Sequence, residues 1–73
     1  MNDSELETEY KLIVAKLRNE QETREYGGKT ALDFAHYCCR QSTIARLQNL
    51  HAEAELIMDI MDAALAQHMR GEV

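Results

Sequence analysis

Seventy-three residues with a net charge of −5 make one domain at most, with a thin core. The neighbouring Cys38 and Cys39 cannot staple a fold, and no apolar run approaches the ~20 residues of a membrane span. The absence of Pro and Trp, with only three Tyr and one Phe, favours helix over strand, and the acidic balance disfavours general attraction to DNA or to an anionic membrane.

The start, Met1-Asn2-Asp3-Ser4-Glu5, is polar and acidic rather than signal-like, so the expectation is a cytoplasmic protein. Ser4 and Glu7 form an S-x-x-E capping box, in which each side chain satisfies a free backbone N–H. Leu6, Tyr10, Ile13 and Leu17, with Val14 alongside, follow at helical spacing. Polar residues then run from Arg18 to Glu25, and Gly27-Gly28 punctuates the chain. These signals predict a first helix over 4–26 and a turn over 27–29.

Thr30 with Asp33 is a second helix start, and no breaker follows until Gly71. The expectation is one long helix over 30–69 with a tail at 70–73. Such a helix would be ~60 Å long, against ~33 Å for the first, so the first folded back would cover only half of it. The alternative is a turn at Asn49-Leu50-His51 that yields a compact three-helix bundle. The strong helix formers Ala52-Glu53-Ala54-Glu55 argue for continuity.

The predicted long helix carries two packing seams. One is small: Ala31, Cys38, Ala45 and Ala52 recur every seven residues, with Ala35, Ser42, Asn49, Leu56 and Ala63 between them. The second is larger: Leu32, His36, Cys39, Thr43, Leu47, Leu50, Ala54, Ile57, Met61, Ala64 and Leu65. A helix apolar on two faces needs two neighbours. The first helix supplies one and a second chain the other, which makes the expected architecture an all-α helical hairpin dimerising into a bundle. The expected oligomer interface is Ala31, Cys38, Ala45, Ala52, Leu56, Ile57, Ile60, Met61 and Leu65. The adjacent cysteines then face different packing surfaces as small hydrophobes.

A third face holds Tyr37, Arg40, Gln41, Ile44 and Gln48, followed by a carboxylate row at Glu55, Asp59 and Asp62. An aromatic, an Arg and an aliphatic in a row have the character of interface anchors. These eight residues are the candidate partner-binding set. The competing reading is that the first helix covers Tyr37 and Ile44 and that the acidic row is solvated surface.

His36 and Cys39 at i, i+3 could both ligate a metal, but no further ligand motif completes a set. Neither cysteine has a base beside it in the sequence, and Gly27-Gly28 lacks a phosphate-loop motif. No catalytic residue, metal or cofactor is therefore expected.

Lys29-Thr30-Ala31-Leu32, Ala35 and Gln41 resemble the first helix of the Rop family. That resemblance implies a dimeric four-helix bundle that binds paired RNA loops. Tyr37 and Gln41 fit the family's RNA-facing positions, whereas Asp33 and Gln48 depart from them. Gly28 to Ala35, with Ile44 and Leu47, also resembles the opening of an ankyrin repeat, but the chain has one copy and no glycine at the turn such a repeat needs.

The function expected from these features is that of a non-enzymatic, acidic helical protein that binds and modulates a larger protein, in the manner of accessory regulators carried by phages and mobile elements. An RNA-binding helical-hairpin dimer using Tyr37, Arg40 and Gln41, with Lys29 and Arg46 nearby, is the alternative, and a purely structural assembly subunit is a third.

Overall fold

The structure is a computed structural model that describes residues 3–72. The described residues form three helices and no strand: α1 (Asp3–Thr23), α2 (Ala31–Leu47) and α3 (His51–Met69). They run up, down and up. Tyr10 of α1 meets Gln48 at one end, while Tyr26 meets Gln67 and Arg24 meets Glu72 at the other.

The helix starts repay the sequence reading unevenly. Thr30 has extended backbone geometry, and its Oγ1 accepts a hydrogen bond from the Asp33 N–H at 3.1 Å, as its sequence predicts. Ser4, by contrast, lies inside α1 rather than capping it, and its carbonyl accepts from Thr8 Oγ1 at 2.9 Å. Residues 1 and 2 and residue 73 lie outside the described residues.

All three helices end in the same way. Within two residues of each helix end the chain enters the left-handed region: Arg24 at φ +58°, Asn49 at φ +63° and Gly71 at φ +83°. In each case two backbone N–H groups then turn back onto the last carbonyls. These are Arg24 to Gln21 and Glu25 to Glu20, Asn49 to Arg46 and Leu50 to Ala45, and Gly71 to His68 and Glu72 to Gln67. Carbonyls that a bare helix end would leave orphaned are thereby satisfied. α1 ends three residues earlier than expected, because Arg24 takes the left-handed position ahead of the glycines. Gly27 and Gly28, at φ +63° and +87°, instead form the turn that Lys29 closes onto the Tyr26 carbonyl.

The expected continuous helix over 30–69 is therefore broken at Gln48–Leu50, and the chain takes the three-helix arrangement. Energetics explain why the helix-forming run at Ala52–Glu55 does not prevail. Its propensity advantage is a few tenths of a kcal/mol per residue. Folding α3 back buries Ala54, Ile57, Ile60 and Ala64 within the same chain, and each isoleucine alone contributes roughly 1.5–3 kcal/mol. The turn costs little, because its N–H groups find the carbonyls of Ala45 and Arg46 and because Asn tolerates the left-handed region better than most residues.

The turn also changes which seam is used. On α2 the small seam is buried: Ala31, Ala35, Cys38, Ser42 and Ala45, at spacings of four, three, four and three. On α3 the buried positions switch to the larger seam, with Ala54, Ile57 and Ala64 joined by Glu53, Ile60 and Gln67. Small residues on α2 thus receive larger ones on α3, and Ser42 Oγ reaches Met58 Sδ at 3.4 Å. α1 adds Tyr10, Val14 and Leu17 to the same core.

This packing corrects the expected oligomer interface. Ala31, Cys38, Ala45, Ile57 and Ile60 are buried inside the single chain, so they are not available to a second one. Of that set, Ala52 and Leu56 are exposed and Met61 and Leu65 half-buried.

The α1–α2 loop is pinned to the end of α3. Tyr26 stacks on Phe34 with ring centroids 4.4 Å apart, and its hydroxyl donates to Gln67 Oε1 at 2.6 Å in a buried contact. Arg24 pairs with Glu72, which also accepts from Arg70 Nε at 3.0 Å. The Glu72 carboxyl is held below its usual range, chiefly by the hydrogen bond from Arg70, with the Arg24 charge adding to it.

Two outcomes follow from this geometry. Asn49→Ala should lower stability in urea by about 1 kcal/mol relative to Asn49→Gly, because only the Cβ conflicts with the left-handed backbone; equal stabilities would mean that the turn is not held there. Burial raises the Tyr26 phenol above 10.0. Its contribution to stability is therefore complete below the unfolded value and lost as pH rises through the raised one. Tyr26→Phe should cost about 1–2 kcal/mol at neutral pH and reduce the alkaline loss, read as thermal stability against pH.

Candidate interaction surface

α2 carries a second line of side chains beside its core seam. Phe34, Tyr37, Gln41, Ile44 and Gln48 recur at spacings of three and four, which places them along the edge of α2 that faces α1. Burial falls along this line. Phe34 is buried, Tyr37 and Gln41 are half-buried, Ile44 is 43% exposed and Gln48 is exposed. α1 therefore covers the stripe at the loop end and leaves it open toward the α2–α3 turn. Gln48 closes the open end by donating from Nε2 to the Tyr10 hydroxyl at 3.2 Å.

Near the covered end lies a shallow cleft of about 180 Å³, lined by Ile13, Lys16, Leu17, Glu20, Lys29, Phe34 and Tyr37. Its floor is apolar and its rim mostly cationic. Lys29 Nζ is 5.6 Å from the Tyr37 ring centroid, and the Arg40 guanidinium carbon is 5.9 Å from it. Each such contact contributes about 0.5–1 kcal/mol at an exposed site. Among the described residues, the ion pairs are Lys11–Glu7, Arg24–Glu72 and Arg70–Glu72. Lys16 and Lys29 thus share the rim of the cleft with Glu20, and Arg40 flanks Tyr37 beside it, in a chain whose net charge is −5.

The structure brings Tyr37, Arg40, Gln41, Ile44 and Gln48 together along α2. It does not place Glu55, Asp59 and Asp62 on the same helix face, because the break at Gln48–Leu50 moves them to α3. All three are exposed there, on the side of α3 opposite Ile57 and Ala64. The expectation of one continuous partner-binding face is thus replaced by two surfaces on different helices.

Sequence reasoning missed Lys16 and Glu20 at the cleft. They lie on α1, one turn apart, and only the docking of α1 on the α2–α3 pair brings them to Tyr37. It also missed Tyr26 and Gln67, whose contact spans 41 residues. The repeat of residue types at helical spacing carries no signal for either pairing.

The cysteines part company. Cys38 is fully buried in the α2 seam, and burial, with the Glu20 charge adding, pushes its thiol up to about 12. Cys39 is exposed on the edge of α2 turned away from α1. Among the described residues no group of three or more His, Cys, Asp or Glu side chains is placed to hold a metal ion, and no helix is long and apolar enough to cross a membrane.

No protein family, curated protein or solved structure matches the chain. The Rop-like segment from Lys29 to Gln41 is set in a chain of three helices rather than in the two-helix hairpin that resemblance implies.

A thiol-specific disulfide reagent should modify one cysteine of the native protein rapidly and the second only on unfolding. Peptide mapping should assign the fast site to Cys39. Equal rates would show that the α2 seam opens readily.

Proposed function

We propose that this chain is a non-enzymatic interaction protein that binds and modulates a larger protein, with the α2 stripe beside α1 as its contact surface and a dimer as its working unit. The observation that supports this reading is the state of Tyr37. It is half-buried and flanked by Lys29 and Arg40, and it is followed one and two turns later by Gln41 and the exposed Ile44. A rigid aromatic with an Arg and an aliphatic neighbour offers a partner large contact area at little entropic cost. Glu55, Asp59 and Asp62 on α3 form a separate acidic surface that would favour approach of a basic region of that partner.

RNA is the second reading, because Tyr37 between two cations also suits a stacked base. The cations beside Tyr37 would serve it, but the overall charge of −5 works against it by repelling a phosphate backbone at long range.

Affinity capture from lysate of the native host, with and without RNase, separates the two. A stoichiometric protein that survives RNase is the expected result. Ile44→Ala and Tyr37→Ala should each weaken its capture about tenfold or more, while helical circular dichroism stays at the wild-type level. Tyr37→Ala should also lower stability by about 1–2 kcal/mol, because the ring is half-buried. Recovery of RNA, or of proteins lost on RNase treatment, would move the assignment to the RNA-binding reading.

A further inference from the structure

The cleft beside Tyr37 has an apolar floor of Ile13, Leu17 and Phe34. At about 180 Å³ it is smaller than the ~300–1,000 Å³ of sites that enclose small ligands and cofactors. It has room for an apolar side chain presented by a larger molecule.

The surroundings of that floor are charged. Lys16 and Lys29 stand on the rim, and Lys29 and Arg40 lie over the Tyr37 ring. All three cations are exposed. Two carboxylates are close by. Glu20, also on the rim, is half-buried, and its charge reaches inward to the Cys38 thiol. Asp33, one turn before Tyr37, sits in the first turn of α2, where the positive end of the helix dipole offsets part of its charge. The local balance at the cleft is therefore positive, in a chain whose net charge is −5.

We infer that the cleft takes an acidic segment of the partner protein. An apolar side chain of that segment rests on the Ile13–Leu17–Phe34 floor, and carboxylates beside it pair with Lys16, Lys29 and Arg40. The inference rests on the protein-binding reading above and adds the chemistry of what is bound. Range explains why a short acidic segment is accepted by an acidic chain. Its few charges lie within a Debye length, ~8 Å, of the three cations, and the rest of the surface is screened from them. A phosphate backbone runs on beyond the cleft and meets the carboxylates of α1 and α3. A stacked base also competes with Lys29 and Arg40 for the Tyr37 ring, whereas carboxylates pair with these cations where they stand.

Amide chemical-shift titration of the full chain tests this without the native partner. The probes are three short peptides with a central leucine flanked by glutamates, by glutamines or by lysines, and a single-stranded RNA of similar length. The glutamate peptide should shift the Lys16, Lys29, Phe34 and Tyr37 amides saturably, about tenfold or more tightly than the glutamine peptide, and the lysine peptide should not saturate. Arg40→Glu and Lys16→Glu, both at exposed positions, should each weaken binding about tenfold or more while retaining wild-type helical circular dichroism. Lys11→Glu changes the net charge equally but lies outside the cleft, and should bind like the wild type. Equal affinity for the glutamate and lysine peptides, no shifts at the cleft with millimolar glutamate peptide, or undiminished binding by Arg40→Glu and Lys16→Glu would overturn the inference. Tighter binding of the RNA at the same amides would overturn it in favour of the RNA reading. The capture experiment separates this inference from the reading beneath it. A partner lost by Tyr37→Ala but retained by Arg40→Glu and Lys16→Glu removes the acidic segment alone. Absence of any RNase-resistant partner removes the protein-binding reading and the inference with it.

Discussion

The close contact between the small seam of α2 and the apolar stripe of α3 carries the rest of this structure. Ala31, Ala35, Cys38, Ser42 and Ala45 offer almost nothing beyond Cβ, so α3 can approach until Ile57 and Ala64 are fully buried. The contact requires the chain to reverse within three residues, and the left-handed Asn49 permits the reversal at low cost. It also fixes what α1 can do. With α2 and α3 paired, α1 has one side left to cover, and its Tyr10, Val14 and Leu17 complete a core that the hairpin alone would leave open.

The two remaining surfaces follow from the same pairing. α1 sits beside the Phe34–Gln48 line and leaves it partly open, so a half-buried tyrosine faces solvent between Lys29 and Arg40. The opposite side keeps Leu32, Met58 and Leu65 half-buried and Cys39 exposed. Each surface is thus what remains after a helix has been placed elsewhere, and their chemistries differ accordingly. One is mixed, aromatic and cationic. The other is mostly apolar, with Glu72 at its end beside Leu32 and His68.

The loop between α1 and α2 joins these parts mechanically. Tyr26 reaches from the loop to Phe34 of α2 and Gln67 of α3, and Arg24 pairs with Glu72 just beyond α3. All three helices are therefore tied at one end by the buried Tyr26 contacts and a partly exposed ion pair, while the other end is tied by the Asn49 turn and the Tyr10–Gln48 hydrogen bond. A groove rimmed by Lys16 and Lys29 rests on that tie, since Lys29 lies between the Gly27-Gly28 turn and the Thr30 cap.

The sequence by itself determined the local elements. Helical composition, the apolar spacing of α1, the Thr30 cap and the terminating Gly71 were all readable, because each depends on residues within one or two turns. It also contained the small seam at its true positions on α2, and the stripe Tyr37–Gln41–Ile44–Gln48. The tertiary structure decided whether 30–69 was one helix or two. Asn49 is a weak stop signal, and local propensity at Ala52–Glu55 favours continuing; only the burial of Ile57 and Ile60 against residues of α1 and α2 tips the balance. With that decision came the switch of seams between α2 and α3, the withdrawal of Ala31, Cys38 and Ala45 from any intermolecular contact, and the placing of Lys16 beside Tyr37. None of these is local, so none could be read from spacing alone.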